Sequence, residues 1–425
     1  MEEDLKYIEE SPIVLRVKRR LTSAIDKATE RNKYETAHNP ELIRALKVVE
    51  AFLRRKRRVC YGGTAMNSIL PRSKQFYNME LDLPDYDFFT PEIDDDIEDI
   101  VAMLRKAGFT EIYHKTGIHE GTKKILVNFT PIADITFISK PIFDVFLRRS
   151  IVRDGIHHTD PEILRMMMYL EISRPKGQVD RWQKVYERLQ LINKIFPPTI
   201  EHSQTRKVSR EMKSFALQSD IKGAIFDFCI NKQRNIFTGG LDAFYRKAVK
   251  STITPHFDIK KYTGPIGFIS ADMQADAKDI KELLSIKHRA KAVLHPAKGE
   301  IVPAYIEIFL NRMPVVLIIE ETACHSYLSF PVEGGRSISI CSPDTLITLY
   351  YSLSIFTTAA RAYIPNIQQQ IRTLIVLAER NRIAKNPNIP SFPLSCHGYQ
   401  KGFSTLLREK MERVAKERGE TGKSI

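Results

Sequence analysis

Long hydrophobic runs are missing from this chain. The longest apolar stretches, such as Val315 to Ile319 and Leu374 to Ala378, fall far short of the ~20 residues a membrane-spanning helix needs. A soluble protein with no membrane partner is therefore expected. Paired cysteines are missing as well. Cys60, Cys229, Cys324, Cys341 and Cys396 lie far apart with no CxxC among them, so neither a zinc ribbon nor a disulfide framework is suggested, and a reducing cytoplasm fits best. The opening stretch, Met1 to Ile13, lacks the positive charge and small-residue cleavage site of a secretory leader. It carries Glu2, Glu3, Asp4, Glu9 and Glu10 instead, and secretion by that route is not expected.

What is present in excess is positive charge. Lys plus Arg number 65 against 51 Asp plus Glu, a formal charge of +14, which suits a polyanionic partner such as nucleic acid. At 425 residues the chain exceeds one compact core and should divide into two or three domains.

The pattern of turns and periodicities gives an α+β organisation. Residues 1–58 read as a helical segment, ending in a helix capped by Asn39 and Pro40 with an apolar stripe of Leu42, Ile43, Leu46, Val49, Phe52 and Leu53. It runs out at Arg54 to Arg58, five cations that suit the negative end of a helix dipole. Residues 59–198 read as a mixed α/β domain with a helical extension: a strand at Val59 to Tyr61, a Gly62-Gly63 turn, a helix from Thr64, strands near Tyr86 to Phe89, Ile125 to Phe129 and Ile132 to Ile138, and one long helical segment from Asp160 through Phe196. Pro197-Pro198 marks the boundary. Residues 199–425 echo this order, with Thr238-Gly239-Gly240 answering Tyr61-Gly62-Gly63 and Ser342-Pro343-Asp344 answering Asp160-Pro161-Glu162, so a second, diverged copy of the same architecture is expected.

Three elements carry the chemistry. Gly62, Gly63 and Thr64 form a strand-to-helix turn whose backbone can approach a triphosphate, with helix amides aimed at the anion and Asn67 one turn further on. Asp85 and Asp87 are two apart in an apolar strand, which turns both carboxylates to one face. Their repulsion is relieved by a divalent cation such as Mg²⁺, which takes carboxylates together with phosphate oxygens. Asp134, between Ala133 and Ile135 on a core strand, is costly to bury unless paired or bound to metal, and it completes a second metal position for in-line phosphoryl transfer. Asp94-Asp95-Asp96 suits the first turn of a helix, and His114, His119, His157 and His158 lack zinc-site spacing. Arg165, Lys176, Arg181, Trp182 and Lys184 line either an RNA path or a solvated helix face. In the second copy, Ser270-Ala271-Asp272 with Asp276 and Asp279 replaces the paired aspartates, so that copy is expected to be inactive.

The order of a Gly-Gly-Thr turn, an Asp-x-Asp pair and a lone later Asp resembles the DNA polymerase β-like nucleotidyltransferase superfamily. Tyr61 to Asn67, Pro84 to Phe89, Asp154 to His157 and Asp160 to Trp182 are similar to poly(A) polymerase catalytic subunits of poxviruses and other large cytoplasmic DNA viruses, most clearly over residues 58–190. The resemblance implies Asp85, Asp87 and Asp134 as catalytic metal ligands for two Mg²⁺ or Mn²⁺ ions, and Gly62, Gly63 and Thr64 as the triphosphate turn. It implies ATP and an RNA 3′ end as substrates, and a second, degenerate nucleotidyltransferase-like domain. It further implies either a homodimer, as in giant viruses, or a separate processivity partner, as in poxviruses, at work in the host cytoplasm or the virion. A CCA-adding enzyme, a uridylyltransferase, a second-messenger synthase and a non-catalytic RNA-binding subunit are the alternatives.

Overall fold

The computed structural model describes residues 12–78, 80–198, 219–262, 264–285, 289–357, 363–384, 386 and 389–421. Most of the acidic opening stretch, the segment following Pro198 and the last residues of the basic tail lie outside them. The chain forms two compact units. One takes residues up to Gly117 with Gly121–Phe137 and Ile151–His158; the other takes Ile118–Glu120, Ile138–Ser150 and everything from Thr159 onward.

The first unit contains α1 (Pro12–Ala37), α2 (Pro40–Lys56), β1 (Val59–Cys60), α3 (Gly62–Ile69), β2 (Tyr86–Thr90), α4 (Ile93–Lys106), β3 (Ile112–Thr116), β4 (Thr122–Val127), β5 (Thr130–Phe137), β6 (Ile151–Arg153) and β7 (Ile156–His158). The Asn39 side chain accepts from the amides of Glu41 and Leu42, and Pro40 opens α2, the cap expected from the sequence. The α2 stripe packs with Ile97, Ile100 and Leu104 of α4 on Phe88, Ile125, Ala133 and Ile135, forming the core on one face of the sheet. Of the five cations at the end of α2, Arg58 is buried. It donates from Nε and Nη2 to the two oxygens of fully buried Asp96, at 2.7 and 2.9 Å. Lys56 meets Asp99 at 2.5 Å. Asp96 and Asp99 of α4 thus offset Arg58 and Lys56 at the end of α2.

The second unit contains α5 (Lys140–Arg149), α6 (Pro161–Ile172), α7 (Trp182–Ile195), α8 (Ser219–Asn231), β8 (Asn235–Ile236), α9 (Leu241–Ala248), β9 (Ile266–Ser270), α10 (Met273–Ser285), β10 (Ala290–His295), β11 (Tyr305–Leu310), β12 (Met313–Glu320), β13 (His325–Pro331), β14 (Ser337–Cys341), α11 (Pro343–Phe356), α12 (Ile367–Ala384), β15 (Cys396–His397) and α13 (Phe403–Thr421). The expected single helix over Asp160 to Phe196 is two helices, α6 and α7. Pro175 and Gly177 interrupt it, since proline removes a helical donor and bars the helical conformation before it.

The two sheets share one topology. Strand order is β3-β4-β5-β2-β1-β7-β6 in the first and β10-β11-β12-β9-β8-β14-β13-β15 in the second, identical position by position except for the added β15. The bulge between Ile125 and Leu126, where β4 pairs with β5, recurs between Ile308 and Phe309, where β11 pairs with β12. The buried ion pair recurs too: Arg234 donates to both oxygens of Asp276, and Ser270 Oγ donates to Asp276 as Thr90 Oγ1 does to Asp96. Asp276 and Asp279 therefore answer to Asp96 and Asp99, not to the aspartates of the first glycine turn's site.

One expectation is overturned. Cys324 and Cys396 are disulfide-bonded, while Cys60, Cys229 and Cys341 are buried thiols outside any disulfide. The bond ties β15 to the start of β13, residues 72 apart in sequence, an adjacency that linear spacing does not display. Among the described residues no helix is long and apolar enough to cross a membrane.

Candidate active site

β2 and β5 run parallel and place Asp87 directly beside Asp134. β4, antiparallel to β5, places Lys124 on the other side of Asp134. Opposite positions on neighbouring strands share a face, so Lys124, Asp134 and Asp87 form a row across three strands. Tyr86 and Phe88 turn to the core behind it. The alternation that buries Phe88 is what brings Asp87 out.

The glycine turn closes on this row. The Tyr61 amide donates to the Asp87 carbonyl at 2.9 Å, which fixes the end of β1 beside β2. Gly62 follows at φ +73°, and a Cβ there would lie 2.4 Å from Asp87 Oδ2. Only glycine satisfies both the backbone and the contact. Gly63 and Thr64 are buried in the first turn of α3. Thr64 Oγ1 accepts from the Asp85 amide at 3.0 Å. The long insertion between Gly63 and Asp85 therefore does not separate turn from carboxylates.

Asp85 itself is exposed and precedes β2, with the Asp87 amide donating back to its carbonyl at 3.2 Å. The expected strand alternation thus places Asp87 but not Asp85, which is set by a local turn and by Thr64. Asn67 is buried, and its Oδ1 accepts from the amides of Phe76 and Tyr77. That oxygen ties down the loop after α3 instead of facing a ligand. Arg165 is also not on a surface path: it is fully buried, paired with Glu162 at 2.8 Å and donating to Asn193 and Tyr351.

Tyr61 lies on the same face, its ring stacked on Phe89 with centroids 4.0 Å apart and its hydroxyl 2.9 Å from Thr136 Oγ1. Burial, then the Asp87 charge, push its phenol well above the ordinary range, and burial with Asp87 does the same to the Cys60 thiol. Both remain protonated. Lys124 Nζ forms an ion pair with Asp134 Oδ2, the two side chains 34% and 17% exposed. Among the described residues no three Asp, Glu, His or Cys side chains close around one point; Asp134 is held by the ammonium. Lys124 and Tyr61 were not singled out from sequence. The signal for Lys124 is the hairpin register, which a propensity reading does not give.

The second sheet fills the same positions differently. By strand register Asp87 corresponds to Gly267, Asp134 to Leu317 and Lys124 to Glu307; counting on from the matching Tyr61–Asp87 and Phe237–Gly267 bonds, Gly62 corresponds to Thr238, one residue before the Gly239 that the sequence echo pairs with it. A Cβ on Gly267 would lie 2.5 Å from Thr238 Cγ2, and one on Gly239 would strike the Tyr262 ring. Thr238 Oγ1 also bonds with Tyr262 and accepts from the Gly267 amide. The turn is closed by its own side chains and carries no carboxylate.

A mixed sheet with a glycine turn at a helix N-terminus, facing aspartates on two adjacent parallel strands, is the arrangement that the resemblance to the nucleotidyltransferase class leads one to expect. Within that class, residues 47–178 match the family model described as Poly(A) polymerase catalytic subunit. A protein of Acanthamoeba polyphaga mimivirus, provisionally named a poly(A) polymerase catalytic subunit, is 31% identical over 159 residues, 36% of this chain and 26% of that protein. A protein of the same provisional name from African swine fever virus is 27% identical over 167 residues, 38% of this chain and 35% of that protein. The chain thus matches well under half the length of these relatives. The crystal structure of the Megavirus polyadenylate synthase superposes with a TM-score of 0.72 at 18% identity, covering 97% of this chain and 84% of that one, and so shares its fold.

Proposed function

We propose that the protein is a template-independent polynucleotide adenylyltransferase, adding AMP from ATP to RNA 3′ ends, with Asp85, Asp87 and Asp134 as its catalytic carboxylates. The observation that carries this is the juxtaposition of Asp87 and Asp134 on paired strands, closed over by a glycine turn that leaves no room for a Cβ. The likeness over residues 47–178 and the charge of +14 support the choice of RNA and ATP.

The site fits divalent metal. Its donors are hard carboxylate oxygens, the set Mg²⁺ and Mn²⁺ prefer, and no thiol or imidazole is among the proposed ligands. Asp85, Asp87 and Asp134 would hold two such ions, which would supply charge neutralisation at the α-phosphate and ease deprotonation of the attacking hydroxyl. The rest is done by the chain. Gly62, Gly63 and the first turn of α3 present backbone amides to the triphosphate, with Asn67 fixing the loop beyond. Thr64 holds the Asp85 backbone in place. The 3′ oxygen bonds to the α-phosphorus as the bond to the β-phosphate breaks and pyrophosphate leaves.

Residues 199–425 are read as a degenerate nucleotidyltransferase-like domain, inactive because Gly267 and Leu317 stand where carboxylates are needed. The relatives come from large DNA viruses, which supports host cytoplasm or virion as the place of work. A homodimer is the expected assembly, with light scattering as its check.

The test is extension of a labelled short RNA with each NTP in Mg²⁺ or Mn²⁺, comparing wild type with the Asp85→Ala, Asp87→Ala double variant. Long A-tails from wild type and a loss of at least ~100-fold in the variant are expected, in line with removal of transition-state charge stabilisation. A preference for UTP or CTP, or product without primer, would point to another nucleotidyltransferase. No product with any nucleotide would leave an RNA-binding subunit.

A further inference from the structure

Lys124 has no part in the reaction as described above, yet it is the cation of the row. It lies directly opposite Asp134 in the β4–β5 pairing, and its Nζ reaches Asp134 Oδ2. On the far side of Asp134 stands Asp87. Two carboxylates on directly paired strand positions repel, and Lys124 relieves that repulsion from within the sheet.

The second sheet serves as an internal control. It keeps what the fold needs: the strand order, the bulge between the second and third strands from the edge, and the buried Arg–Asp pair. It has lost Asp87 to Gly267, Asp134 to Leu317 and, with them, Lys124 to Glu307. Glu307 instead lies 2.8 Å from His295 Nε2 on the neighbouring strand. A lysine required only to hold the hairpin together would have no reason to go with the carboxylates. Lys124 sorts with the site, not with the scaffold.

We propose that Lys124 is a positioning residue that acts as the resident counter-cation of Asp134: it orients the carboxylate in the metal-free protein, and a divalent cation loads there by displacing it. This rests on the active-site reading above. The side chain is suited to the exchange. It sits on a flexible stem, is a third exposed, and once displaced its ammonium remains beside the site, within reach of a polyphosphate.

The test uses purified full-length protein without ATP or RNA. Mn²⁺ binding is followed by the loss of the free-ion EPR signal for wild type, Lys124→Met, Lys124→Arg and Asp134→Asn, each checked for a wild-type melting curve. RNA extension then gives kcat and the KM for ATP. With the competing ammonium gone, Lys124→Met should bind Mn²⁺ about five- to tenfold tighter. Its kcat should fall about 10- to 100-fold with KM for ATP within about twofold, because Asp134 is no longer oriented. Lys124→Arg should keep the wild-type affinity and most of the turnover. Unchanged or weaker Mn²⁺ binding by Lys124→Met would overturn the proposal. If Asp134→Asn leaves Mn²⁺ binding intact, the fault lies with the site assignment itself, and the role of Lys124 falls with it.

Discussion

Gly62 shows how narrowly the site is drawn at the level of single residues. Its φ of +73° costs an L-residue about 1–2 kcal/mol, and its missing Cβ is the space that Asp87 Oδ2 occupies, 2.4 Å away. Gly62→Ala is therefore expected to displace Asp87 and reduce RNA extension by at least ~100-fold, while circular dichroism shows a folded protein with a modestly lowered melting temperature. Full activity in that variant would show that the turn does not press on the carboxylate. The glycines and Asp87 were legible in sequence because each depends on a local rule: a glycine pair between strand and helix, and alternation along an apolar strand. Asp85, Asn67 and Arg165 were read less well. Their surroundings are set by the Thr64 hydroxyl, the Phe76–Tyr77 amides and Tyr351, partners that local sequence does not reveal.

At the scale of elements, strands and caps followed the sequence where one periodicity ruled. The α2 cap and stripe, β2 and β5 are examples. The joint between α6 and α7 is different: apolar spacing continues across it, and only Pro175 and Gly177 mark the break. β15 was not expected at all, because two residues carry no periodicity. The Cys324–Cys396 bond holds it, and its removal should cost about 2–4 kcal/mol, since it closes a long loop of the unfolded chain. Thiol titration in denaturant should find three reactive cysteines without reductant and five with it. Five in both cases would show the bond is not formed in the purified protein. With the bond present, urea unfolding should move to a lower midpoint on reduction.

For the whole molecule, two buried histidines set the response to acid. Burial, helped by Arg153 for His158 and by Arg174 for His325, lowers each to about 4 from the ordinary 6.5. Between these values the unfolded chain takes up a proton that the folded chain refuses. Stability is then full above about pH 6.5 and falls by up to about 1.4 kcal/mol per pH unit for each histidine down to about pH 4. Asp160 and Asp344, whose carboxyls burial raises, work the other way only as pH nears the carboxylate range. Urea midpoints measured at pH 7, 6 and 5 should decline in that order, and a level profile would contradict the buried, neutral state of both rings.

The two sheets are reciprocal at one pair of positions. Gly62 faces Asp87 in the first, and Thr238 faces Gly267 in the second. Each arrangement allows one side chain and one bare backbone, never two side chains. No single substitution converts the second arrangement into the first: an aspartate at 267 meets Thr238, and a glycine at 238 alone supplies no carboxylate. Tyr262, packed where a Cβ on Gly239 would be, adds a third obstacle. Close packing around Thr238 thus holds the second sheet's counterpart of Asp87 as bare backbone.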